Sequence, residues 1–262
     1  MSIKPKKSLG QHFLKDSQVV GRIAASLSAD ATDRIIEIGA GTGALTRELV
    51  RRCSDLHVFE VDQRLVEMLQ QEFPGITLHP RSILDADFSS LTEGLTNKLY
   101  ITGNLPYYLT SPILFLVLDQ CDLFAEAVFM IQKEVAERLV AKPRTKAYGV
   151  LSVQTQVLGR VELLFLVPPH VFYPPPKVES AVIRYRPGNS RYPGSVRDLD
   201  VPLNIFKSVV RTAFQQRRKK LSNALKQLFE DGFPDGFDAG RRAEELEPHE
   251  FVALARWLAR IG

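Results

Sequence analysis

Short apolar runs alternate with helix-like stretches from Arg34 to the middle of the chain. The apolar runs occupy residues 35–38, 57–59, 76–78, 99–101 and 127–130, and residues 45–52 and 65–73 have helical periodicity. Continuous apolar strands separated by crossover helices are typical of a parallel sheet covered on both faces. This alternation predicts a doubly wound α/β fold for the first two thirds of the chain.

Two further strand-like runs, residues 161–167 and 180–185, are joined by a proline-rich loop that cannot be helical. We therefore expect them to pair antiparallel at a sheet edge. Residues 186–202 have the composition of a linker, and apolar residues after them recur at helical spacing. The sequence predicts an α/β domain at 1–187, a linker at 188–202 and a small all-α domain at 203–262.

The overall composition restricts function only weakly. The chain of 262 residues has a net charge of +4 and two cysteines, Cys53 and Cys121, which suggest neither a disulfide framework nor a zinc site. The basic N-terminus lacks the apolar core of a secretory signal, and no apolar run reaches the roughly 18 residues of a membrane span. We expect a soluble protein of the reducing cytosol that binds no metal and acts as a monomer.

A glycine-rich segment at residues 36–44 follows the first strand of the α/β pattern and opens a helix. Gly39, Gly41 and Ala44 also satisfy a dinucleotide-binding fingerprint, so the segment alone leaves a nicotinamide cofactor possible. Glu37, on the strand before the first glycine, favours a ligand with an amino-acid part over a pyrophosphate. Glu60 ends the next strand, where an acid binds ribose hydroxyls of either cofactor.

A second informative segment, residues 100–108, follows another strand, so it should lie beside the glycine loop at the carboxyl end of the sheet. Asn104, Pro106 and Tyr107 match the Asn/Asp-x-Pro-Tyr signature of methyltransferases that act on exocyclic amino groups. An isolated turn of this composition would usually be structural. Together with the glycine loop and Glu60, the segment favours methyl transfer from S-adenosyl-L-methionine.

The chain as a whole resembles the small-subunit type of ribosomal-RNA adenine dimethyltransferase. Matching segments occur in the same order at residues 9–14, 36–44, 103–107, 132–135, 146–149, 171–180, 210–214 and 217–221. The resemblance implies a Rossmann-like class I methyltransferase fold with an antiparallel last strand. It also implies dimethylation at N6 of two adjacent adenosines near the 3′ end of 16S rRNA during assembly of the 30S subunit, in the cytoplasm.

The catalytic residues follow from the chemistry of the adenine amino group, which is a poor nucleophile. The Asn104 side-chain oxygen and the Leu105 carbonyl can accept hydrogen bonds from its N–H groups, and Pro106 stiffens the turn. A base inside a helix is unreachable, so it must be flipped out and stacked. Tyr107 is the candidate for one face and, by resemblance, Phe172 for the other.

The resemblance also assigns the cofactor site. His12 and Leu14 would close over the methionine part with Gln11 adjacent, and Gly39, Gly41, Glu60 and Asn104 match the remaining positions. Where the family has an acid for the cofactor adenine, this chain aligns Ser82, whose hydroxyl is a weaker acceptor. Asp85 is the alternative if the loop is shifted.

Positive charge is concentrated in one C-terminal segment, because no acid occurs between Pro202 and Phe229. The basic residues predicted to bind RNA there are Arg211, Arg217, Arg218, Lys219 and Lys220. Two alternative functions stay open: the related methylation of 23S rRNA, and an RNA-binding assembly factor without catalysis. The intact Asn104 motif favours the enzyme, and a DNA adenine methyltransferase is disfavoured by the matches outside that motif.

Overall fold

The computed structural model describes residues 3–188, 190, 201–230 and 232–261. They form two compact units, one comprising the chain up to Ala136 with Glu162–Arg186, the other Glu137–Val161 with the described residues from Pro187 onward. The α/β unit thus ends next to the predicted boundary at residue 187, but residues 137–161 were predicted in the first domain and cluster in the second. The predicted linker falls almost entirely outside the described residues.

A seven-stranded sheet with the order β4-β3-β2-β5-β6-β9-β7 forms the centre of the first unit. Its strands are β2 Arg34–Ile38, β3 Asp55–Phe59, β4 Thr77–His79, β5 Leu99–Asn104, β6 Phe124–Gln132, β7 Gly159–Val167 and β9 Ser180–Pro187. Strands β2 to β6 pair parallel, and β9 pairs antiparallel with β6. Each predicted strand is present, and the doubly wound fold with an antiparallel last strand is confirmed.

The helices of this unit follow the strands as the crossover pattern predicts. They are α1 Ser17–Ser26, α2 Ala44–Leu49, α3 Gln63–Glu72 and α4 Thr110–Asp119, and α5 Lys133–Leu139 begins directly after β6. Helices α1 and α3 have an aspartate at the N-cap. Asp16 accepts hydrogen bonds from the backbone N–H groups of Gln18 and Val19, and Asp62 accepts one from that of Arg64. Both acids satisfy N–H groups that an isolated helix end leaves without partners.

A second, two-stranded sheet was not predicted. Strand β1, Phe13–Leu14, pairs antiparallel with β8, Phe172–Tyr173, so that Phe13 lies opposite Tyr173 and Leu14 opposite Phe172. The strands are only two residues long, and a pairing across more than 150 residues leaves no periodicity in the sequence. This small sheet brings the N-terminal segment and the proline-rich loop together.

The second unit contains α6 Val150–Leu158, α7 Leu203–Gln215, α8 Leu221–Ala224 and α9 Pro248–Ile261. Residues 139–149 join it through the Tyr148 hydroxyl, which donates to the Leu246 carbonyl, and the Arg144 N–H, which donates to the Glu244 carbonyl. Helix α8 ends at Ala224, and the described residues from there to about residue 242 are largely turns and irregular segments. Gly232 and Gly236 have positive φ there.

Within the described ranges, no helix has the length and apolar character needed to cross a membrane. Both cysteine side chains are buried. Burial raises the pKa of the Cys53 thiol to about 11, so this thiol is protonated and unreactive at neutral pH.

Candidate active site

A cleft that is partly open to solvent lies at the carboxyl ends of β2, β3 and β5. The predicted site residues that line it are Gln11, His12, Leu14, Gly39, Gly41, Glu60, Ser82, Asn104, Leu105, Pro106 and Tyr107. The two sequence segments predicted to meet therefore do so. Parallel strands that end at one edge of the sheet produce this convergence.

The glycine loop requires glycine for two separate reasons. Gly39, Gly41 and Gly43 have φ values of +65°, +56° and +75°, a region that side chains rarely adopt. A Cβ on Gly41 would also lie 3.1 Å from Cδ1 of Phe13. The loop is thus shaped by its own turn and by the N-terminal segment that covers it.

The Glu60 carboxylate is held at the end of β3 by backbone groups. Its oxygens accept hydrogen bonds from the N–H groups of Gly41 at 3.1 Å, Val61 at 2.9 Å and Asp62 at 3.0 Å. Burial raises its pKa in spite of these bonds. The carboxylate therefore has a fixed position at the wall of the cleft, as an acceptor for hydroxyl groups requires.

Glu37 is a second acid in the cleft wall, and it is 1% exposed. Its Oε2 atom has no hydrogen-bond partner within the described part of the chain. Burial, together with the nearby charge of Glu60, raises the pKa of Glu37 to about 8. Sequence reasoning used Glu37 to choose between cofactors but did not list it as a site residue, although an acid inside an apolar strand was the available signal.

The N-terminal segment contributes His12 to the wall of the cleft. The His12 Nδ1 atom donates to the Pro174 carbonyl at 2.7 Å, because a carbonyl can only accept. Its ring stacks on Tyr107 with 5.7 Å between centroids. His12 is thus fixed from two sides, consistent with a role in shaping the site rather than in removing a proton.

Gln11 lines the cleft, but its amide is used within the protein. Its Nε2 donates to Asp62 at 3.1 Å and its Oε1 accepts from the Lys6 N–H at 2.7 Å. The Asp62 carboxylate also forms ion pairs with the Lys6 ammonium at 3.0 Å and the Arg64 guanidinium at 2.6 Å. These partners hold the pKa of Asp62 well below its usual range. Asp62 therefore anchors the N-terminal segment, a role that the sequence did not reveal.

Residues 104–109, here named the target loop because they contain the Asn104 motif, are held by backbone hydrogen bonds on both sides of Pro106. The Leu105 N–H donates to the Met130 carbonyl at 3.0 Å, and the Leu109 N–H donates to the Pro106 carbonyl at 2.9 Å. The Asn104 amide donates to the His12 carbonyl at 3.1 Å. Tyr107 shares a hydrogen bond of 2.9 Å with the buried hydroxyl of Ser180, so its ring orientation is fixed.

Phe172 is not among the residues that line the cleft. It is 3% exposed and belongs to the apolar core with Leu14 and Val171. Side chains alternate across a strand, so its neighbour Tyr173 points outward and is 50% exposed. The Phe172 ring therefore packs in the apolar core rather than lining the cleft, and its role as the second stacking face stays a prediction.

Ser82 lines the cleft, whereas Asp85 is not among the described lining residues. The Ser82 hydroxyl accepts from the Leu84 N–H at 3.2 Å and begins a short 3₁₀ turn. Arg81 next to it also lines the cleft. Of the two alternatives that the sequence left open, Ser82 is the one that lines the cleft, and its contact with a cofactor stays a prediction.

The predicted RNA-binding residues of the second unit lie in two places. Arg211 is on α7, whereas residues 217–220 form the turn between α7 and α8 rather than a helix. Arg218, Lys219 and Lys220 are exposed. Arg217 pairs with Glu244 at 2.7 Å and donates to the carbonyls of Lys146 and Thr145 at 2.9 and 3.0 Å. Its guanidinium is thus used inside the unit.

No group of three or more His, Cys, Asp or Glu side chains that could hold a metal ion occurs among the residues described. The cleft instead offers carboxylates, backbone donors and amide or carbonyl acceptors. This donor set is suited to an organic ligand with hydroxyl and amino groups.

The strand order, the glycine loop and the cleft define a Rossmann-like methyltransferase. The family described as "Ribosomal RNA adenine dimethylase" matches residues 3–260. The chain belongs to this ribosomal RNA adenine dimethylase family.

Named relatives and solved structures are similar over nearly the whole chain. The "Ribosomal RNA small subunit methyltransferase A" of Salinibacter ruber is 45% identical, covering 97% of this chain and 85% of the relative. That of Nitrosospira multiformis is 40% identical, covering 100% and 99%. A dimethyladenosine transferase from Plasmodium falciparum shares the fold at TM-score 0.79 and 21% identity, covering 95% and 98%. The 23S rRNA methyltransferase ErmE has TM-score 0.64 and 26% identity over the same shares.

Proposed function

We propose that this protein transfers methyl groups from S-adenosyl-L-methionine to N6 of two adjacent adenosines near the 3′ end of 16S rRNA, during assembly of the 30S subunit. The observation that supports this proposal most directly is that the Asn104 loop and the glycine loop line the same cleft. The relatives named for the small subunit, at 40 and 45% identity, favour this substrate over 23S rRNA. A ribosomal substrate implies action in the cytoplasm.

The cleft residues fit S-adenosyl-L-methionine. The Oε2 atom of buried Glu37 has no hydrogen-bond partner in the described part of the chain, and a bound cationic ligand would favour the ionised form of this carboxyl. The Glu60 carboxylate suits ribose hydroxyls. Ser82 would contact the adenine of the cofactor. The backbone at Gly39 and Gly41 would approach the cofactor closely, because glycine has no Cβ. His12 and Leu14 would cover the methionine part. When bound, the cofactor supplies a methyl group on an electrophilic sulfonium.

The target loop would act on the adenine amino group. The Asn104 Oδ1 atom and the Leu105 carbonyl would accept hydrogen bonds from its two N–H groups, and these bonds would orient the nitrogen lone pair. Tyr107 would stack on the base, and its bond to Ser180 keeps the ring from rotating. The methylated ammonium-like nitrogen is strongly acidic, so its proton passes to a weak acceptor or water without a dedicated base.

The second unit would bind the RNA backbone. Arg218, Lys219 and Lys220 are exposed in one turn, and Arg211 lies on the preceding helix. Ammonium and guanidinium groups bind phosphates with little regard for sequence, so this surface would grip structured RNA by shape.

The test compares Asn104→Ala with the parent on small-subunit particles from cells that lack the modification. We expect methyl transfer to fall about 100-fold, because the acceptor that positions the amino group is lost, while cofactor affinity measured by calorimetry changes less. Asn97→Ala, which also removes one amide hydrogen bond, to Asp33, but lies outside the cleft in the same unit, is the matched control. Parental speed in a folded Asn104→Ala variant, or dimethyladenosine mapped to 23S rRNA alone, would reject the proposal.

A further inference from the structure

One aromatic side chain beside the cleft is exposed without an explanation in the fold. Tyr173 is 50% exposed at the outer face of the two-stranded sheet. Its neighbour Phe172 supplies the core contact of that strand. Tyr173 is therefore not needed to cover the apolar core.

A positive charge lies over this ring. The Lys15 ammonium is 4.1 Å from the centroid of Tyr173, and the Lys15 N–H donates to the Val171 carbonyl at 2.9 Å. This backbone hydrogen bond fixes the position of Lys15 next to the strand that carries Tyr173. The Lys15 and Tyr173 side chains are therefore held close to each other. The adjacent Asp16 carboxylate accepts from the first N–H groups of α1, so it is directed away from this pair.

The Tyr173–Lys15 pair adjoins residues that line the cleft, although neither of the two side chains lines it. Tyr173 lies opposite Phe13 in the sheet, and Phe13 and His12 both line the cleft. His12 contacts the Asn104 amide, the Tyr107 ring and the Pro174 carbonyl that follows Tyr173. A strand that delivers a base to Asn104 would continue past this pair.

We propose that Tyr173 and Lys15 form a second RNA subsite, which stacks the base next to the flipped adenosine and contacts its phosphate. The inference rests on the proposed function, since it needs RNA in the cleft. An aromatic ring stacks on any base, and an ammonium binds phosphate, so the pair suits a single-stranded nucleotide. The charge disfavours a purely apolar partner.

The test uses the full chain with S-adenosylhomocysteine and an RNA fragment that carries 2-aminopurine beside the target adenosine. Stacking should quench the fluorescence of the parent complex. We expect Tyr173→Leu and Tyr173→Ala to reduce the quench and weaken RNA binding about tenfold, with Tyr173→Phe restoring both. Lys15→Ala should weaken binding and make its salt dependence shallower. Leu166→Ala, at a similarly exposed side chain away from the cleft, is the control.

The outcomes separate this subsite from the proposed function. Parental quench and RNA affinity in both Tyr173→Leu and Tyr173→Ala, in an enzyme that still methylates RNA, would overturn the subsite alone. A parent protein that neither binds nor methylates the small-subunit RNA would overturn the function and the subsite with it. Cofactor affinity of each variant, which should equal that of the parent, checks the fold.

Discussion

The side-chain amide of Asn104 donates a hydrogen bond to the backbone carbonyl of His12 over 3.1 Å. Because the nitrogen of the amide is used in this bond, the oxygen remains as the acceptor for a target amino group. His12 lies in the N-terminal segment, whereas Asn104 ends β5. The N-terminal segment therefore orients the Asn104 amide as well as covering the glycine loop.

Asp62→Asn should loosen that segment without unfolding α3. An uncharged amide binds Lys6 and Arg64 less strongly, but asparagine still begins a helix well. Hydrogen bonds to a charged group are strong, so we expect the KM for S-adenosyl-L-methionine to rise about tenfold. Hydrogen exchange of residues 6–14 should become faster in the same variant. Unchanged KM and exchange would show that Asp62 does not anchor the segment.

Tyr107 and Ser180 should act as a coupled pair in methyl transfer. Tyr107→Phe and Ser180→Ala each remove the bond that fixes the ring, so we expect each to lower kcat/KM for RNA by about three- to tenfold. The double variant should be little worse than either single variant, because the same bond is lost. Independent, multiplicative effects in this double-mutant cycle would contradict the pairing.

Glu37→Gln should change how stability depends on pH. The folded protein keeps this carboxyl protonated up to about pH 8, whereas the ordinary pKa is 4.5. The folded state then binds more protons between these values, so the free energy of unfolding falls as pH rises through this window. Urea titrations at several pH values should show a weaker decline in the variant. Asp62, with a lowered pKa, acts only at more acidic pH.

Arg217→Ala should reduce stability more than it changes RNA binding. The side chain pairs with Glu244 and ties residues 145 and 146 to the unit, so we expect a loss of about 1 to 3 kcal/mol in the free energy of unfolding. Chemical denaturation measures this loss. A variant of parental stability would show that these bonds contribute little.

The double variant Arg218→Ala/Lys219→Ala should weaken RNA binding more than it changes stability. Both side chains are exposed, so stability should stay near that of the parent. Removing two phosphate contacts should make the slope of log affinity against log salt shallower by about 1 to 2, and cofactor affinity should not change. Salt slopes equal to that of the parent would exclude this turn from the RNA interface.

The sequence determined the features that depend on local order along the chain. Apolar runs separated by helical stretches specify a parallel sheet, and the ends of its strands must share one edge. The placement of Gly41, Glu60 and Asn104 in one cleft follows from that rule alone. Sequence reasoning therefore identified the fold class and eleven of the residues that line the cleft.

Only the tertiary structure decided which partner each side chain meets. Phe172 is taken into the core because β8 pairs with β1, Gln11 is used by Asp62, and Arg217 is used by Glu244. Each partner is separated by 27 to more than 150 residues in the chain, and no periodic pattern records such a contact. Local sequence fixes what a residue can do, but burial and the hydrogen bonds made across the fold determine whether that capacity stays available.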